Sequence, residues 1–184
     1  MAKVILMMGP PGAGKSLQGQ ILAARFNLEW LSVGKLLRSY RDPTLSQVME
    51  TGDLLPADIT NQIVLKYLDQ RGSLDGLIID GYPRLLEQAK ALNDYAVQST
   101  GHSAVEMLIV LDIGREEIVN RLLARGRPDD NEQVITHRIQ IYAEQEQPLI
   151  DFYENLGVRV EHLIGSRTVG QVHDDIANIW YNLY

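Results

Sequence analysis

The chain has 184 residues, 45% hydrophobic and 22% charged, with a formal net charge of −7; that is the size and composition of one globular domain, 1–184, with a full core. The acidic balance argues against a nucleic-acid surface, which needs a clustered basic face, and the lack of cysteine excludes disulfides, thiolate metal sites and cysteine nucleophiles. No apolar run approaches a membrane span and no basic, apolar leader opens the sequence, so a cytoplasmic protein is expected.

Residues 4–8 form an unbroken apolar run ending at Gly9-Pro10-Pro11-Gly12, the pattern of a strand buried on both faces. A helix is predicted over 15–26, a short strand near 28–31, and a helical patch over 34–40 that Asp42-Pro43 breaks. Helices near 43–51 and 56–70 follow. Residues 76–80 read as a third buried strand, 84–98 as a helix, 105–111 as a strand and 115–125 as a helix. After a polar break at 126–131, Asp130 with Gln133 forms a capping-box variant opening a long helix to about 154, which Pro148 is expected to kink. The last strand is placed at 158–164. Thr168 and Gln171 cap a final helix with Val172, Ile176, Ile179 and Leu183 at helical spacing. Buried strands alternating with helices predict an α/β fold with a parallel sheet covered on both faces.

The segment Gly9-Pro10-Pro11-Gly12-Ala13-Gly14-Lys15-Ser16 satisfies Gly-x4-Gly-Lys-Ser between a buried strand and a helix. There its backbone N–H groups and the helix N-terminus form an anion nest for ATP phosphates. Lys15 can reach the β- and γ-phosphates, and the Ser16 hydroxyl can ligate Mg²⁺. The third strand, also apolar, ends in Asp80, which at the carboxyl end of a parallel sheet faces the same crevice and can hold Mg²⁺ directly or through water. Of the 17 basic residues, 12 are arginine, whose planar fork suits phosphate oxygens better than lysine does. The four histidines lack metal-ligand spacing and read as solvated or structural. Met7 and Met8 read as core, and Trp30 and Trp180 as packing residues.

With these motifs the sequence resembles the adenylate kinase and nucleoside monophosphate kinase family, of the short-lid type. The matches run in family order over nearly the whole chain: residues 9–15; Ser32-x-Gly34 with Leu36-Leu37-Arg38; Gly52-x-Leu54-Leu55-Pro56; Asp80-Gly81-Tyr82-Pro83-Arg84 and Gln88; Arg121-Leu122-Leu123-x-Arg125; Arg127-x-Asp129-Asp130; Arg138; and Pro148 through Phe152-Tyr153. The resemblance implies a P-loop NTPase-type core of five parallel strands. It also implies a flap of about 32–60 over the monophosphate and a very short lid of about 125–131 over ATP. Transfer of the γ-phosphoryl group of Mg-ATP to a nucleoside monophosphate, with AMP the leading acceptor, is then expected, by a monomer with no tightly bound organic cofactor.

By the same resemblance, residues 9–16 with Leu17, Arg121, Arg125 and Gly165 hold ATP, and Arg121 stacks on the adenine. The monophosphate falls to Ser32, Val33, Arg38, Leu55, Gly81, Arg84 and Gln88, with Arg127 and Arg138. Lys15, Arg84, Arg125, Arg127 and Arg138 close around the transferring group, and Asp129 and Asp130 anchor the lid. Two departures lie inside the sites. Ser16-Leu17 replaces the usual Gly-Thr, which favours direct Mg²⁺ ligation by Ser16. Ser32-Val33-Gly34-Lys35 replaces Ser-Thr-Gly-Asp, and Val33 cannot make the base contact of the usual threonine, so UMP, CMP or a relaxed preference stays open. Lys35 opposes the dipole of its helix; exposure is the simpler reason it is tolerated, contact with substrate phosphate the other. A non-catalytic nucleotide-binding module and a kinase for a small non-nucleotide acceptor are the remaining readings.

Overall fold

The computed structural model describes residues 4–182. Strands β1 (Val4–Met8), β2 (Glu29–Ser32), β3 (Leu77–Asp80), β4 (Val105–Asp112) and β5 (Arg159–Ile164) pair in the order β2-β3-β1-β4-β5, every pair parallel. Helices α1 (Lys15–Phe26), α2 (Val33–Ser39), α3 (Pro43–Thr51), α4 (Ala57–Arg71), α5 (Leu86–Thr100), α6 (Arg115–Arg125), α7 (Glu132–Asn155) and α8 (Val169–Tyr181) fill the connections. The alternation of elements predicts the parallel sheet covered on both faces, and the five-stranded P-loop NTPase-type core is the one that the family resemblance implies.

The central strand shows why the layers form. Successive side chains of a strand point to opposite faces, and all five residues of β1 are buried. Val4, Leu6 and Met8 join a core with Leu77, Ile79, Leu108, Val64 and Leu92, the last two from α4 and α5. Ile5 and Met7 join the opposite core with Ile78, Ile109, Leu22 and Ile176, the last two from α1 and α8. A smaller cluster of Ile118, Leu122 and Ile135 fixes α6 to α7.

β1 and β3 are neighbours whose connections diverge, the one after β1 running to β2 at one edge of the sheet and the one after β3 crossing to β4 on the other side, which opens a crevice at their carboxyl ends. The glycine loop after β1, Ser32 at the end of β2 and Asp80 at the end of β3 all emerge there.

Local rules succeeded at most boundaries and failed at two. α8 begins with the expected reciprocal capping box of Thr168 and Gln171. Val172 and Ile176 of its stripe are buried, whereas Leu183 lies outside the described residues. The long helix does not begin on Asp130: Asn131 is the cap, its side chain accepting from the Val134 N–H at 3.0 Å. Asp130 is instead claimed by arginine donors, which a buried carboxylate needs more than a helix needs one particular cap. α7 continues through Pro148 to Asn155. α5 starts at Leu86 rather than 84, because Leu85 is extended (φ −129°, ψ 151°), and the Arg84 N–H before it donates to the Gln88 side chain.

Candidate active site

The crevice at the strand ends is a cleft of about 520 Å³. Its walls bring together Pro11, Gly12, Gly14, Lys15, Ser16 and Leu17 from the glycine loop and α1, and Ser32, Val33, Arg38 and Leu55 from β2, α2 and the segment before α4. Asp80, Gly81, Arg84 and Gln88 come from β3, the turn after it and the start of α5, and Arg121, Arg125, Arg127 and Arg138 from α6, α7 and their link. Of the other residues singled out in the sequence, Pro10, Ala13, Gly165, Asp129 and Asp130 are not part of this lining, and Gly9 lines a smaller adjoining pocket with Lys15, Arg84 and Arg138.

The loop geometry depends on glycine at its first position. Gly9 has φ 138°, and a Cβ there would lie 2.7 Å from the Leu111 carbonyl oxygen, so any side chain would push β4 away from the loop. The loop then turns into α1, where the Lys15 ammonium donates to the carbonyls of Gly9 and Pro10, both at 2.7 Å. Burial pushes the Lys15 pKa down to about 8; Asp80 opposes this, and Arg84 and Arg125 add to it. Ser16 Oγ donates to Asp80 Oδ2 at 2.5 Å, joining the first turn of α1 to the end of β3.

The arginines are held by partners that leave the cleft positive. Arg125 makes a two-pronged contact with Asp130, Nε to Oδ2 at 2.8 Å and Nη2 to Oδ1 at 2.6 Å, and the Arg127 backbone N–H adds a third donor at 3.1 Å. Arg138 donates to Asp129 and to the Met49 carbonyl at 2.8 Å. Burial works against ionising Asp129 and Asp130, but hydrogen bonds from Arg138 and Arg125 outweigh it and hold both below the usual carboxylate range. Arg38 donates to the Gly34 carbonyl at 2.8 Å. Desolvation lowers the pKa of Arg38 and of Arg84; Arg127 adds to this at Arg38, and Arg138 adds to it at both. Arg121 is braced by Glu117 at 2.7 Å and reaches the Gly12 carbonyl at 3.4 Å.

On the other wall, Val33 is only 1% exposed, and Gln88 (3% exposed) accepts from the Arg84 N–H through Oε1 at 2.8 Å. Lys35 is exposed, its ammonium 4.7 Å from the Trp30 ring centroid. Gly165 packs so closely that a Cβ would lie 3.2 Å from the Ala13 carbonyl oxygen.

Several contributors carried no usable sequence signal. Met49 acts through its carbonyl, which any residue supplies. Asp53 pairs with His137 at 2.6 Å across 84 positions, fastening the end of α3 to α7. Gly52, by contrast, is part of the Gly52-x-Leu54-Leu55-Pro56 match; at φ 90° it lies so near α7 that a Cβ would meet Val134 Cγ1 at 2.9 Å.

Comparison with known proteins gives a consistent picture. The family model described as adenylate kinase matches residues 7–158. The adenylate kinase of Mycobacterium ulcerans (strain Agy99) is 37% identical over 156 residues, covering 82% of this chain and 85% of that one. That of Prochlorococcus marinus subsp. pastoris (strain CCMP1986) is 40% identical over 164 residues, 86% and 87% of the two chains. That of Synechococcus sp. (strain RCC307) is 38% identical over 182 residues, 96% and 97%.

Proposed function

The chain belongs to the adenylate kinase family and is an enzyme of the nucleoside monophosphate kinase type, and from this premise we propose that it transfers the γ-phosphoryl group of Mg-ATP to AMP, giving two ADP. The observation that carries this reading is the convergence of five arginines, Arg38, Arg84, Arg125, Arg127 and Arg138, with Lys15 on one cleft in a protein of net charge −7. So dense a cluster of cations is suited to two phosphate chains meeting end to end.

Phosphoryl transfer through a loose transition state asks a protein for positioning and charge neutralisation rather than covalent chemistry. The donor phosphates sit in the nest of residues 9–16, where Lys15 exchanges its two carbonyl contacts for phosphate oxygens. Arg121 lies over the donor base, with Leu17 and Gly165 around the same nucleotide. Arg38 and Arg84 hold the acceptor's phosphate, near Ser32, Leu55 and Gly81. That phosphate is a dianion and already nucleophilic, so no general base is needed. Arg125, Arg127 and Arg138 neutralise the group in flight. Residues 125–131 act as a lid tied down by Asp129 and Asp130, and residues 32–60 as the flap over the acceptor.

Ser16 and Asp80 suit Mg²⁺: they are hard oxygen donors side by side, and among the described residues no cluster of three or more metal-binding side chains competes. Mg²⁺ usually takes few protein ligands and completes its octahedron with phosphate and water. When bound, it neutralises charge on the donor phosphates.

Gln88 supports AMP: its Oε1 is engaged by the Arg84 N–H, leaving its NH₂ as the group to donate to the base. Val33 supports a second reading, a pyrimidine or relaxed acceptor, because a valine offers that base no hydrogen bond. A coupled assay with AMP, CMP, UMP, GMP and dTMP separates the two. Turnover is expected with AMP leading; no turnover of any of them by a folded, ATP-binding protein would sink the proposal. We place the enzyme in the cytoplasm as a monomer, since one chain supplies every wall of the cleft. Among the described residues no helix is long and apolar enough to cross a membrane.

A further inference from the structure

We infer that Gln18 is a positioning residue that sets the distance between the donor's phosphate seat and its base slot. This rests on the donor site proposed above. Gln18 lies in the first turn of α1, directly after the glycine loop, and is 3% exposed. Its Nε2 donates to the Val169 carbonyl at 2.9 Å, across 151 positions. Val169 opens α8, at the end of the link that begins with Gly165. Gly165 itself donates its N–H to the Asp112 carbonyl at 2.7 Å and sits against the Ala13 carbonyl. The link 165–169 is therefore pinned at both ends: by backbone contact with the loop, and by one side chain from α1.

Among the described residues, the other end of the same amide makes no hydrogen bond that would explain a glutamine here. Gln18 Oε1 is buried with no hydrogen-bond partner among the described residues, and an unsatisfied buried acceptor is destabilising. A methionine of similar length would fill the space without that penalty. Among the described residues the bond to the Val169 carbonyl is therefore the hydrogen bond that a glutamine supplies here, and it holds the link in place.

The test uses Gln18→Met, calorimetric binding of ATP and of inorganic tripolyphosphate, and a melting curve. Tripolyphosphate fills the phosphate seat and has no base. Gln18→Met is expected to melt no lower than the wild type and to weaken ATP roughly three- to tenfold, the size of one neutral hydrogen bond, with tripolyphosphate unchanged. In steady state the KM for ATP rises by the same factor, and the KM for the monophosphate does not. Equal weakening of both ligands would assign Gln18 to the loop alone and overturn the inference, as would unchanged ATP binding. Wild-type protein that binds tripolyphosphate no worse than ATP would instead remove the donor site on which the inference rests.

Discussion

The hydroxyl of Ser16 lies 2.5 Å from Asp80 Oδ2, joining the first turn of α1 to the end of β3 across 64 positions of sequence. This pair is the hard-oxygen corner of the cleft, so metal dependence should centre on it. Turnover is expected to stop in excess EDTA and return with Mg²⁺. Asp80→Asn should raise the Mg²⁺ concentration for half-maximal rate about 10–100-fold, the usual effect of disturbing an outer ligand of a metal site. An unchanged Mg²⁺ titration would remove Asp80 from that corner.

Lys15→Ala should lower kcat by about 10²–10³-fold or more, as expected when one charged donor at the transferring group is lost. Its melting temperature should stay close to that of the wild type, because the lysine's hydrogen bonds go only to two loop carbonyls.

The same lysine gives a pH signature. Its pKa is pushed down to about 8 in the ligand-free protein, so the ammonium is charged below that value and neutral above it. The kcat/KM for ATP, which reports the free enzyme, should therefore fall as pH rises past about 8. Bound phosphates favour the charged form, so kcat at saturation should hold to higher pH. Lys15→Arg, permanently charged, should lose the limb near 8 whatever its absolute rate; persistence of that limb would point to another group.

Asp130→Ala strips Arg125 of a two-pronged partner and leaves the Arg127 N–H without its acceptor. The carboxylate is fully buried but Arg125 is a third exposed, so the expected loss is about 2–3 kcal/mol, below the range for a fully buried pair. Urea unfolding measures it. The Asp130 pKa lies below its unfolded value; its stabilisation is therefore full above about pH 4 and fades as pH falls through the lower folded value. The variant's stability deficit should shrink correspondingly in acid.

Val33→Thr places a hydroxyl at a buried position on the acceptor wall. The ratio of kcat/KM for AMP over CMP and UMP should rise by about tenfold, the scale of one added base contact. An unchanged ranking would show that residue 33 does not touch the base.

The sheet was legible because its signals are local and repeat: each buried run is short, apolar and bounded by turn residues. The cleft was legible because phosphate chemistry needs recognisable groups, and Lys15, Asp80 and the arginines all line it. Asp130 was misread as a helix cap for the converse reason, although the family resemblance also names it beside the lid arginines. Three residues before Gln133 it satisfies a local capping rule, while the demand that governs it comes from Arg125 and the Arg127 N–H, which no local window weighs. Gln18 and Asp53 escaped notice because their partners lie 151 and 84 positions away, and the contribution of Met49 is a carbonyl.

The crowding of Arg38, Arg84, Arg125, Arg127 and Arg138 around one opening also bears on practice at the bench. Like charges gathered on one cleft repel one another until an anion pairs with them, so the cleft should attract small oxyanions in general. Phosphate or sulfate in a buffer should raise the melting temperature and compete with both nucleotides, making affinities measured in phosphate weaker than those measured in a zwitterionic buffer.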